Sequence, residues 1–308
     1  MKIIPHTSHL IPHTSNLFLP RSSHFPPWKS AFALDALRRA WLVIYANKGT
    51  AGADGQTLDQ FAQNLDANLR QLQDELLAET YRPQRVTQVL VPKASAGWRP
   101  LSLWTVRDKI AQRAVYNYLE PVLNPHFLPC AHGFRPGRGA HSAAQAISHA
   151  RRLGAHWVLD ADIKDCFGQM RNSTLQMQLA RWRVPGPLRT LIGYWLYAKV
   201  WNAWAGSAAT AGTSQGGVIS PLLCNLYLHP FDLALSHRED LTLVRYADDF
   251  VILSRKKAAV VQAQDLAQEA LASLGLMMHP QKTRITNFVA GFQFVGWFFF
   301  RHNAFELK

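Results

Sequence analysis

The amino-acid sequence predicts an α+β fold, and three observations predict it. Apolar residues at helical spacing alternate irregularly with short runs rich in strand-forming residues. Those runs fall into neighbouring pairs that suit antiparallel hairpins better than the crossovers of a doubly wound parallel sheet. One pair, Leu241-Thr242-Leu243-Val244 and Phe250-Val251-Ile252-Leu253, flanks the acidic turn Tyr246-Ala247-Asp248-Asp249. With 308 residues, 48% of them hydrophobic, the chain has enough apolar side chains for one or two domains.

Taken in order, residues 1–30 read as a flexible leader rich in Pro, His and Ser. It carries the near-duplicates Ile4-Pro5-His6-Thr7-Ser8 and Ile11-Pro12-His13-Thr14-Ser15. Ala31 to Tyr45 is predicted helical, because Leu34, Leu37, Trp41 and Ile44 fall on related faces. A Gly-rich turn, Asn47 to Gly55, precedes a helix from about Leu58 to Glu79, where Leu65, Leu69, Leu72 and Leu76 recur. Tyr81-Arg82-Pro83 breaks it. Val86 to Pro92 reads as a strand, Lys93 to Arg99 as a basic hairpin loop, and Asp108 to Leu123 as a helix. Gly133 to Ala140 is a loop with two arginines; a helix to about Leu153 and a strand from Trp157 to Ile163 follow. Thr213 to Gly217 is a loop leading to a helix that opens at Ser220-Pro221, with Ser as cap and Pro in the first turn. After the acidic hairpin come a helix from Lys257 to Leu274 and strands at Thr283 to Thr286 and Phe292 to Phe300.

The formal net charge is +13 and the pI about 10.0. Such a surplus attracts polyanions, nucleic acid first among them, though a basic protein without such a partner has the same composition. Cys130, Cys166 and Cys224 lie far apart. That argues against a zinc knuckle and a disulfide framework, and fits a reducing, cytoplasmic compartment. No run of 18 apolar residues occurs, so no transmembrane helix and no membrane partner are expected.

The chemistry concentrates in two acidic segments. Asp248 and Asp249 at a hairpin tip make a hard-oxygen platform for divalent cations, two of which, about 3.5–4 Å apart, serve in-line phosphoryl transfer. A solvated turn accounts for the pair equally well. Upstream, strand periodicity in Val158-Leu159-Asp160-Ala161-Asp162-Ile163-Lys164 puts Asp160, Asp162 and Lys164 on one face. An exposed edge strand of alternating polarity is the other reading of that segment.

Together these segments resemble a known family. Asp162-Ile163-Lys164-Asp165-Cys166-Phe167, then Gln215-Gly216-Gly217-Val218-Ile219-Ser220-Pro221, then Tyr246-Ala247-Asp248-Asp249 occur in the order found in reverse transcriptases. The chain looks most like the bacterial group II intron and CRISPR-associated branch. Gly52-Ala53-Asp54-Gly55, Gly97-Trp98-Arg99-Pro100-Leu101, Val106-Arg107-Asp108-Lys109, Gly133-Phe134-Arg135-Pro136-Gly137-Arg138, Leu274-Gly275-Leu276 and Phe294-Val295-Gly296 also fit.

The resemblance implies a right-hand polymerase with fingers mainly in 31–155, a palm mainly in 156–300 with helices on one face of its sheet, a short tail at 301–308 and no thumb. It implies RNA-directed DNA polymerase activity with Mg2+, for which Mn2+ substitutes. Asp162, Asp248 and Asp249 would be the catalytic metal ligands, with the Ile163 carbonyl adding one. Lys93 and Arg99 would grip the incoming triphosphate. Gln215 and Gly216 would lie beside the nucleotide, Phe167 would exclude a ribose 2′-hydroxyl, and Lys282 would sit on the nucleotide or primer side. Arg135 and Arg138 would contact template phosphates, or one of them would be structural. Ser214 stands where Pro is usual, and Gly168 where relatives often carry Asp. Partners implied are an RNA template, a primer and deoxynucleoside triphosphates. A noncoding RNA, a partner protein or a homo-oligomer would replace the thumb. A domesticated role follows, in antiviral defence or CRISPR spacer acquisition. The alternatives are a catalytically silent nucleic-acid-binding subunit and a template-independent polymerase.

Overall fold

A computed structural model of the chain describes residues 24–92, 97–203, 207–209 and 216–307. A one-turn 3-10 helix, Trp28–Phe32, leads into α1 (Leu34–Ala46), α2 (Leu58–Ala62) and α3 (Leu65–Leu77). The single helix expected over 58–79 is thus two. Asn64 takes a non-helical conformation at the junction, and Asn68 Nδ2 donates to Phe61 O across the corner at 2.9 Å. Residues 25–32 are tied to the core: Phe25 stacks on Tyr118 at 5.7 Å, Tyr118 Oη donates to Pro26 O, and Phe32 is buried. The near-duplicate pentapeptides lie outside the described residues.

β1 (Val86–Pro92) and β2 (Trp98–Leu103) form an antiparallel hairpin, followed by α4 (Val106–Leu123), α5 (Ala140–Arg152) and β3 (Trp157–Asp162). α6 (Cys166–Gln169), α7 (Asn172–Arg181) and α8 (Gly186–Leu196) precede β4 (Val200–Asn202) and β5 (Ser207–Ala209). Then come α9 (Ser220–Ser236), β6 (Thr242–Tyr246), β7 (Asp249–Ser254) and α10 (Lys257–Ser273). β8 (Arg284–Asn287), β9 (Phe292–Phe294), β10 (Trp297–Phe300) and β11 (Asn303–Glu306) complete the order. The strand expected over 292–300 turns back at Val295-Gly296, and the expected tail supplies β11, paired with β10.

Among the described residues three sheets result, ordered β2-β1-β4-β5, β6-β7-β3-β8 and β11-β10-β9. β4 pairs parallel to β1, so residues 200–202 and 207–209 join the sheet begun at Val86. The central sheet, β6-β7-β3-β8, is antiparallel, and its period-2 alternation divides the core. Leu159, Ala161, Leu243, Phe250 and Ile252 pack with α9 and α10 on one face. Val158, Val244, Val251 and Leu253 pack on the other with α5 and with Phe292, Phe294 and Phe299 of the last sheet. Helices therefore cover both faces, not one. β3 has neighbours on each side and is no edge strand. No helix among the described residues is long and apolar enough to cross a membrane, and the three cysteines are free.

Two buried histidines set an acid limit on this core. His229 lies 5.1 Å from the Trp182 ring, and burial pushes its pKa down to about 4. Burial, then the charges of Arg138, Arg135 and Arg245, lower His132 to about 4 as well. Both are neutral when folded, whereas the unfolded rings titrate near their ordinary value, about 6.5. Between those values the unfolded state binds more protons, so stability is full above about 6.5 and falls as pH drops toward 4. The loss for His229 is on the order of 3 kcal/mol. Denaturant titrations across that window are expected to show a shallower slope for His229→Phe than for the wild type; equal slopes contradict the assignment.

Candidate active site

The acidic segments meet at one end of the central sheet. Register places Asp162 directly opposite Asp249, and Ile163 N donates to Asp248 O at 3.1 Å. Directly opposed residues of an antiparallel pair share a face, so the two carboxylates sit side by side. Burial, then the charges of Asp248 and Asp162 and a hydrogen bond to Asp162, push the Asp249 carboxyl up to about 7. Asp248 is also raised, mainly by burial, with Lys282 and Arg245 pulling the other way. Crowded carboxylates that resist ionising together attract positive charge. A cation is already there: Lys282 Nζ lies 2.6 Å from Asp162 Oδ2. Asp160, on the same face two residues back, takes Arg284 at 2.9 Å. Among the described residues, no three His, Cys, Asp or Glu side chains converge tightly enough to hold an ion in this conformation.

The hairpin tip is held from behind by residues that sequence reasoning missed. Ala247, not an aspartate, takes the positive φ of 57° in the turn. Behind it Arg245 is fully buried, and its guanidinium donates to both oxygens of Asp232 on α9, at 2.7 and 2.6 Å. Its Nη1 also donates to Asn225 Oδ1 at 3.1 Å and to Ala247 O at 2.8 Å. Asn225 Nδ2 in turn donates to Gly133 O. A Cβ on Gly133 would lie 2.4 Å from Ala247 N, so only glycine lets this loop press on the turn. The signal was present: an arginine inside the apolar run Leu243-Val244-Arg245-Tyr246, and Asn225 and Asp232 seven residues apart on one helix face.

Residues 91–299 match the reverse transcriptase (RNA-dependent DNA polymerase) family. This chain belongs to that family. Among its sequence relatives is the group II intron-encoded protein LtrA of Lactococcus lactis, 36% identical over 197 residues. That match covers 63% of this chain but only 32% of LtrA. Protein YkfC of Escherichia coli is 29% identical over 302 residues, covering 84% of this chain and 79% of that protein. In fold, the chain is similar to the telomerase of Candida albicans, with a TM-score of 0.55 and 14% identity over 75% of this chain and 48% of the telomerase.

The remaining motif residues of this reverse transcriptase are placed unevenly. Arg99 is exposed on β2, whereas Lys93, Ser214 and Gln215 lie outside the described residues. Gly216 crosses β2 so closely, at φ 110°, that a Cβ would meet Ser102 O at 2.6 Å. Phe167, half-buried in α6, packs one side on the core. At Gly168 the Asp165 carboxylate fills the space a side chain would need, 2.3 Å from an added Cβ. Arg135 takes the structural one of the two roles expected for this loop's arginines. Its guanidinium is spent on Asn124 Oδ1 and on the carbonyls of Asn124, Leu128 and Ala131, at 2.7–3.1 Å, and makes no ion pair among the described residues. Held by these acceptors it is a loop clasp, and Arg138 Nη1 also donates to Pro129 O, at 2.6 Å.

Proposed function

We propose that this protein is an RNA-directed DNA polymerase that extends a primer by two-metal nucleotidyl transfer. The observation that carries the reading is the cross-strand pair Asp162 and Asp249, with Asp248 at the adjoining turn, at the mouth of a reverse transcriptase core. The donor set is all oxygen, which suits Mg2+ with Mn2+ as substitute. Asp162, Asp248, Asp249 and the Ile163 carbonyl would hold such ions, whose charge would lower the pKa of the primer 3′-hydroxyl and offset that of the triphosphate. Asp162, paired with Lys282 in this structure, would give up that contact on holding a metal, which would free the ammonium for the nucleotide. Lys93 and Arg99 grip the triphosphate, Gln215 and the Gly216 backbone seat the nucleotide, and Arg138 meets the template. Phe167 blocks the 2′-hydroxyl. We further propose a domesticated setting, antiviral defence or CRISPR spacer acquisition, which gene neighbourhood tests; a noncoding RNA, partner protein or second copy steadies the primer–template.

The deciding experiment is primer extension on an RNA template with Mg2+ and each deoxynucleotide. Template-directed incorporation is expected, and its absence with both Mg2+ and Mn2+ overturns the proposal. In the same assay Phe167→Ala is expected to raise ribonucleotide use by roughly tenfold or more, about 1.4 kcal/mol of lost discrimination. An unchanged sugar preference removes the gate role.

A further inference from the structure

The net charge of the chain is not explained by the catalytic end alone. At the opposite end of the central sheet, where Trp157 pairs with Ser254, four chain segments are tied together by hydrogen bonds. Arg255 Nη2 donates to Leu153 O at 2.5 Å, and its guanidinium lies 3.1 Å from where a Cβ of Gly154 would stand. Arg151 Nε donates to Arg301 O at 3.0 Å and its Nη1 to Ala155 O at 3.0 Å. His156 N donates to Ser254 O, and Phe288 N to His156 O. The result is one surface on which Arg152, Arg255, Lys256, Lys257 and Arg301 are all exposed. None of the five makes an ion pair among the described residues. Asp240, whose charge Lys256 feels, is taken by Arg238 at 2.8 Å. Aromatic rings are set among the cations: Lys257 Nζ lies 5.0 Å from the Trp157 ring and Arg301 Cζ 5.2 Å from that of Phe300.

These charges do not serve the helix they border. Arg255, Lys256 and Lys257 crowd the start of α10, whose first turn holds no acidic residue. Cations there oppose the helix dipole and one another, which costs stability. A surface kept at such a cost fits an anionic partner. Register puts it five residues, roughly 17 Å, along the sheet from Asp162 and Asp249.

We propose that this surface binds the phosphate backbone of a folded RNA segment that is separate from the template–primer duplex. Cations without carboxylate partners supply counterion release, and Trp157 adds a stacking face. Only the choice of RNA over other polyanions rests on the polymerase reading.

The test is fluorescence anisotropy of the full chain with a labelled, blunt RNA hairpin that offers no extendable 3′ end. Nucleotides are omitted, so the outcome does not depend on whether the protein extends a primer. Lys256→Glu combined with Lys257→Glu is expected to weaken hairpin binding about tenfold or more and to flatten its log–log salt dependence by about two. The control pair Lys48→Glu with Arg70→Glu, equally exposed but on the α1–α3 side, is expected to change affinity less than about twofold. The neutral pair Lys256→Gln with Lys257→Gln should give an intermediate loss, and serves if charge reversal disturbs α10. Equal losses from control and surface variants, or none from either, overturn the proposal. So does a surface effect confined to anionic lipid vesicles.

Discussion

Asp162→Ala and Asp248→Ala are each expected to lower nucleotide incorporation by about three orders of magnitude or more while leaving the thermal midpoint unchanged or slightly raised. A thousandfold is about 4 kcal/mol of transition-state stabilisation, a reasonable share for a metal ligand in phosphoryl transfer. The stability half of the result follows from geometry. Asp249 is held far above the usual carboxylate range by burial and by its acidic neighbours, so deleting a neighbour relieves repulsion. The Lys282–Asp162 pair lost with Asp162 is largely exposed on the lysine side, and exposed pairs contribute little. Single-turnover extension and thermal melts on the same preparations check both halves. Near-normal incorporation by either variant would remove these carboxylates from the chemistry, and a large fall in melting point would make them structural.

The second large effect is expected at Arg245. Arg245→Met leaves Asp232 charged, fully buried and without its bidentate partner, a change that costs roughly 3–5 kcal/mol. Activity is expected to fall as well, because the same guanidinium holds Ala247 O in the turn that carries Asp248. The two effects separate in the double variant Arg245→Met with Asp232→Leu. Replacing a buried pair by apolar residues of similar size is often close to neutral, so stability should largely return. Incorporation should not, since the Ala247 and Asn225 contacts are still missing. Recovery of both together would show that Arg245 acts through stability alone. Denaturant unfolding and extension kinetics on the three proteins decide it.

How much was legible in the sequence depended on how local the information was. β1 has the bounds read from its apolar run, and α4 and α10 begin or end within two residues of expectation, because periodicity and capping are properties of a short window. The break between α2 and α3 was hidden because the leucine spacing runs on through it, while the chain corners at Asn64. α7 and α8 drew no assignment: α8 opens on Gly-Pro and is apolar on several sides, so it gives no clean stripe. β11 is four residues long and exists only because β10 offers it an edge. The arginine-rich loop after Gly133 suggested phosphate contact, but Arg135 is claimed by carbonyls that only the folded loop brings around it.

The sequence by itself determined the fold class, the family, the order of the acidic motifs and the polyanion-seeking charge, since each is written in composition or in residues near one another in the chain. The tertiary structure alone decided that Asp162 faces Asp249, that Lys282 reaches Asp162, that Arg245 is buried against Asp232, and that separate cations converge beside Trp157. Pairing between distant segments depends on strand register and on which partner relieves a buried charge. Those are free energies of the whole packed core, and no window of residues contains them.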